Sequence, residues 1–162
     1  MRKSDENKNP FQNSHDRQIG ETLHDKILYW LFHRLNEDHL DLVARVTGAS
    51  ENEICKIKVE IESPVYGGFN MRSILGFVDL KVTAFENRMW ETEECESDEE
   101  MEEEFYLKEF SGFIEIKSHV NVGETIRQIK YYGGNPWTVC GPDNGCREIL
   151  DSQGIQFIEY AP

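Results

Sequence analysis

One hexapeptide occurs twice in this chain. Gly76-Phe77-Val78-Asp79-Leu80-Lys81 returns as Gly112-Phe113-Ile114-Glu115-Ile116-Lys117. Each copy sets an acid two residues before a lysine inside an alternating apolar run. Side chains alternate across a β-strand, so Asp79 and Lys81 share one face, as do Glu115 and Lys117. Val78, Leu80, Ile114 and Ile116 then take the opposite face, toward a core. Antiparallel pairing of two such strands brings two carboxylates and two amines together beside a sheet. Carboxylates gathered next to lysine are costly to desolvate unless a hard cation or a phosphate joins the cluster. The two strands therefore frame both the expected fold and the expected chemistry.

The 162 residues suffice for one domain with a real core, so 1–162 is expected to be a single unit. Residues 1–17 are polar and read as a tail. Leu23, Ile27, Trp30, Leu31 and Leu35 recur at helical spacing across 20–35. Strands are expected at 54–61, 74–85 and 105–118, with Pro64 and Gly67-Gly68 marking a turn after the first. Asn121, with Glu124 three residues on, predicts a capped helix over 121–132, stopped by Gly133-Gly134. A short strand at 137–140, a short helix within 143–153 and a last strand at 155–160 complete the order. Three strands in a meander followed by crossovers imply an α/β fold: a mixed sheet with helices on its faces.

The formal charge is −14, and ten acidic residues with no lysine or arginine lie within 91–104. Such a block is normally a solvated insertion in a hairpin connection. A sharper alternative is a phosphate mimic that occupies a basic groove. Deleting 91–104 is expected to leave the melting temperature nearly unchanged, because a like-charged segment buries little apolar surface. The deletion should also tighten nucleic-acid binding at low salt, an effect that titration across ionic strengths would show fading. No apolar run reaches the length of a membrane span and no signal-peptide pattern opens the chain, so a soluble, cytoplasmic protein is expected. Cys55, Cys95, Cys140 and Cys146 lack CxxC spacing and read as reduced thiols.

The motif order resembles the PD-(D/E)XK nuclease superfamily, whose core is restriction-endonuclease-like. The family's acid on the second strand of the meander is matched by Asp79, and its E-x-K on the third strand by Glu115-Ile116-Lys117. The Q-x-x-x-Y of the RecB-like branch is matched by Gln128-Ile129-Lys130-Tyr131-Tyr132 on the following helix. A glutamate on the first helix, often after glycine, is matched by Glu21 in Gly20-Glu21. Two features depart from the family: the acidic insertion between the motif strands, and Lys81, which makes a second D-x-K.

The resemblance implies a Mg²⁺- or Mn²⁺-dependent nuclease. Asp79 and Glu115 would be the metal's oxygen ligands, with the Ile116 backbone carbonyl and Glu21 added to them. Lys117 would position or polarise the attacking water, and Gln128 and Tyr132, i and i+4 on one helical face, would orient Lys117 or the nucleic-acid strand. His24 and Asp25 are lesser candidates on the first helix. The plain alternative is that both acids form exposed salt bridges with Lys81 and Lys117, contributing little. Arg72, Lys108, Arg127 and Lys130 are candidate phosphate contacts, but no dense basic stripe exists. His15, His33, His39 and His119 form no spaced metal motif. The partner expected is nucleic acid, DNA ahead of RNA, with no membrane and with a homodimer left open. The rival readings are a non-catalytic protein of the same fold whose acidic segment engages a basic partner, and a sheet-based interaction module.

Overall fold

Five strands form one sheet: β1 (Ile54–Gly67), β2 (Ser73–Met89), β3 (Phe105–Ile116), β4 (Trp137–Gly141) and β5 (Gln156–Glu159), hydrogen-bonded in that order. The structure is a computed structural model that describes residues 22–37, 39–67, 71–89, 105–134 and 136–162. The expected tail, Glu21 and the acidic segment 91–104 lie outside the described residues. β1, β2 and β3 pair antiparallel, whereas β3, β4 and β5 pair parallel. A parallel step requires a crossover, and helices α3 (Val122–Tyr132) and α4 (Arg147–Ser152) supply the two. The mixed α/β sheet flanked by helices is as expected. Among the described residues no helix is long and apolar enough to cross a membrane.

Helix α1 (Leu23–Asn36) starts where Thr22 accepts the Asp25 backbone N–H on its side-chain oxygen at 3.1 Å. Asn121 caps α3 in the same way through the Glu124 N–H at 3.2 Å. A second helix, α2 (Leu40–Thr47), was not expected. Its eight residues are too few for a clear periodic signal, and burial of Val43 and Val46 decides its conformation. Pro64 also departs from expectation. It lies within β1 opposite Phe77, not in a turn. β1 is an edge strand, where a missing backbone donor can face away from the ladder.

Two cores cover the sheet. Leu31, Leu35, Val43 and Val46 of α1 and α2 meet Leu80, Val82, Ile114 and Ile116 in the first. Ile129 and Leu150 of α3 and α4 meet Val78, Val139 and Phe157 in the second. Cys140 and Cys146 are buried free thiols in different cores. Val78 and Leu80, expected on one face, are therefore divided between the two. The β1–β2 ribbon turns over between them, at Glu62, whose φ of 53° is left-handed. Ile61 opposes Leu80 and Ser63 opposes Val78, which sets this turn beside Asp79. A long two-stranded ribbon coils readily enough to permit it.

The repeated glycines serve packing. A methyl group on Gly112 would overlap the Val46 backbone carbonyl at the end of α2. Gly112→Ala is expected to cost about 2 kcal/mol, because the obstacle is backbone and cannot rotate aside. Thermal unfolding should show a fall of roughly 4–8 °C.

Candidate active site

β2 and β3 are paired from Met89–Phe105 down to Leu80–Ile114, and the ladder stops there. One step further, the Asp79 carboxylate replaces a ladder carbonyl: its Oδ2 accepts the Ile116 backbone N–H at 2.7 Å. Continuing the register sets Asp79 opposite Glu115. The strands thus part where the two acids stand, and a side chain rather than a backbone group bridges the gap.

Glu115 is buried, with only 3 % of its surface exposed. Burial, and then the neighbouring negative charge of Asp79, push its pKa from 4.5 up to about 7. Lys117 opposes the rise. Glu115 Oε1 is buried and has no hydrogen-bond partner. Its Oε2 lies 3.6 Å from Lys117 Nζ, and that amine donates to Gln128 Oε1 at 2.9 Å. A proton, an ammonium or a divalent cation would each answer the charge gathered here.

α1 approaches from its first turn. His24 Nε2 lies 3.4 Å from Asp79 Oδ1, and its Nδ1 lies 3.6 Å from Asp25 Oδ1. The hydrogen bond to Asp79 raises the His24 pKa above its usual 6.5, although burial works against it. Asp25 Oδ2 is a second buried oxygen with no hydrogen-bond partner. Asp79 is thus engaged by a donor on each oxygen. Among the described residues no group of three or more His, Cys, Asp and Glu side chains stands ready to hold a metal ion.

The expected residues divide in a definite way. Asp79, Glu115, Lys117 and Gln128 come together, and Ile116 joins them through its N–H. Tyr132 goes elsewhere, because a helical i, i+4 pair shares a face but spans a full turn. Its hydroxyl sits over Gly76, where a methyl group would overlap it, and its ring stacks on Trp137 at 5.9 Å. Lys81 opposes Phe113 on one side and Glu60 on the other, and lines a groove with Tyr132. The expected meeting of two acids and two amines is therefore a meeting of two acids and one amine, with His24 added. Arg72, Lys108, Arg127 and Lys130 are exposed, and Lys108 rests over the Phe110 ring at 4.9 Å.

A buried acid away from the site escaped the sequence reading. Glu86, fully buried, accepts the Ser50 N–H at 2.5 Å and two Arg88 donors at 2.6 and 2.9 Å. Its Glu86-x-Arg88 spacing in a strand is the signal that could have revealed it. No family model, curated protein or solved structure matches this chain.

Proposed function

We propose that this chain is a divalent-metal-dependent nuclease with a restriction-endonuclease-like core, hydrolysing phosphodiester bonds of DNA. The observation that carries the reading is the convergence of Glu115, Asp79 and Lys117 where β2 and β3 part, with Lys117 Nζ held on Gln128 at 2.9 Å. The donor set fits a hard cation: two adjacent carboxylates, one with a buried oxygen that lacks a partner. Bound Mg²⁺ or Mn²⁺ would neutralise phosphate oxygens and lower the pKa of a water.

The side chains would divide the remaining work. Asp79 and Glu115 would hold the cation, and Glu115, whose burial favours the protonated form, would have to release its proton to do so. Lys117, fixed by Gln128, directs its ammonium at the water or the phosphate and balances charge that grows during displacement. His24 would have to leave Asp79 Oδ1, 3.4 Å away, for that oxygen to take a ligand. Glu21 and the Ile116 carbonyl remain the further ligands the family resemblance suggests. Cleavage of labelled single-stranded DNA, duplex DNA and RNA with Mg²⁺ or Mn²⁺ tests the reading; no cleavage of any form would sink it.

The occupied state of Asp79 favours a second reading. An acid already held by Ile116 N–H and His24 suits a non-catalytic protein of the same fold, whose acidic segment engages a basic partner. Heating with and without Mn²⁺ separates the two, because a ligand that binds only the folded state raises the melting temperature. An unchanged melting temperature, together with no cleavage, would favour the second reading.

A further inference from the structure

We infer that the groove beside Glu115 seats an unpaired nucleobase, so that the bound chain is a single-stranded nucleic acid. The inference rests on the nuclease reading for the class of ligand and deepens it by naming the form. The groove, of about 400 Å³, is walled by Tyr66, Lys81, Phe113 and Tyr132, with Gly133 and Gly134 at one end. That volume is within the range of small organic ligand sites.

Its aromatic walls are held from below. Trp137, buried, packs against Phe113 at 5.1 Å and stacks on Tyr132 at 5.9 Å with planes only 20° apart. Both rings are half-buried and border the groove, and two successive glycines leave no side chain over the end of α3. Lys81 stands across the ladder from Phe113 and supplies a cation for phosphate. Glu60, the acid on the same wall, is drawn to Lys58 at 3.1 Å.

Position links the groove to the acids. Phe113 and Glu115 lie two residues apart on one face of β3, about 7 Å, a span that one nucleotide bridges. A base against Phe113 and Tyr132 would leave the adjoining phosphate beside Glu115 and Lys117. A base within a duplex cannot enter such a groove without leaving its stack. Charge argues the same way. With a formal charge of −14 and no basic stripe, the chain is poorly suited to duplex binding driven by phosphates. Stacking is indifferent to that charge and is worth about tenfold in affinity per base.

Fluorescence anisotropy with labelled oligothymidylate, an abasic strand of equal length and a duplex, in Ca²⁺, tests the inference. The wild type should bind oligothymidylate about tenfold more tightly than the abasic strand, and more tightly than the duplex. Tyr132→Leu should erase the preference for bases while keeping abasic binding. Lys81→Ala should weaken both strands alike and lower the salt slope by about one. If circular dichroism shows Tyr132→Leu unfolded, the exposed Tyr66→Ala takes its place, with a partial loss of base preference expected. Equal affinity for base-bearing and abasic strands, equal affinity for duplex, or no binding would overturn the groove assignment. Base-dependent binding without cleavage of any substrate would overturn the nuclease reading and leave the groove standing. Cleavage without base preference would do the reverse.

Discussion

Replacing Lys117 by alanine is expected to slow DNA cleavage by about a thousandfold or more while leaving divalent-cation affinity unchanged or slightly higher. The amine sits 3.6 Å from Glu115 Oε2, so its removal takes a competing cation away from the carboxylates as it takes the charge away from the reaction. On the proposed function, Asp79→Ala and Glu115→Ala should lose metal affinity and cleavage together, since each would remove a direct oxygen donor. Lys81→Ala is the comparison. It has the same spacing from an acid, yet it lies in the groove opposite Phe113, so its effect on the chemical step should be much smaller. Single-turnover cleavage in Mg²⁺, paired with calorimetric metal affinities on the same preparations, would read the pattern. Wild-type cleavage by Lys117→Ala alongside loss in Lys81→Ala would move the catalytic amine to β2.

Glu115→Gln is expected to stabilise the metal-free protein at pH 8 by roughly 3 kcal/mol. The folded pKa of Glu115 is about 7 against an ordinary 4.5, so the folded state binds the proton more tightly than the unfolded one. The stabilisation is fully present below the unfolded value and is lost as pH rises from about 4.5 through about 7. Glutamine mimics the protonated acid at every pH and removes this loss. In a chelating buffer the melting temperatures of wild type and variant should coincide near pH 4 and separate by about 6–12 °C at pH 8. If the proposed metal site is correct, added Mn²⁺ should restore the wild type at pH 8 far more than the variant, because a cation held by Asp79 and Glu115 would stand in for the proton. A wild-type melting temperature that stays flat from pH 5 to pH 8 would contradict the burial described for Glu115.

Much of the sheet follows from local pattern. Alternation in the two hexapeptides places them as paired strands, and the capping of α3 by Asn121 with its end at Gly133 follows from short-range hydrogen bonding and a left-handed φ of 67°. The same alternation sets Glu115 and Lys117 together and buries Ile114 and Ile116. Helix α2 was not legible, because eight residues become helical by burying Val43 and Val46, not by propensity. Nor was the place of Pro64, which depends on β1 being the outermost strand.

Within the site, spacing alone determined that Glu115 and Lys117 share a face and that Asp79 lies on the neighbouring strand. Periodicity carries this information, since it needs no knowledge of distant contacts. Tertiary structure decided the rest. The parting of β2 and β3 lets the Asp79 side chain take the Ile116 N–H, and the approach of α1 brings His24 to the same carboxylate. The packing of α3 sends Gln128 to Lys117 and Tyr132 to the groove over Gly76. Coiling of the β1–β2 ribbon at Glu62 assigns Val78 and Leu80 to different cores. Each of these depends on burial and charge shared between segments far apart in the chain, which a local pattern cannot encode.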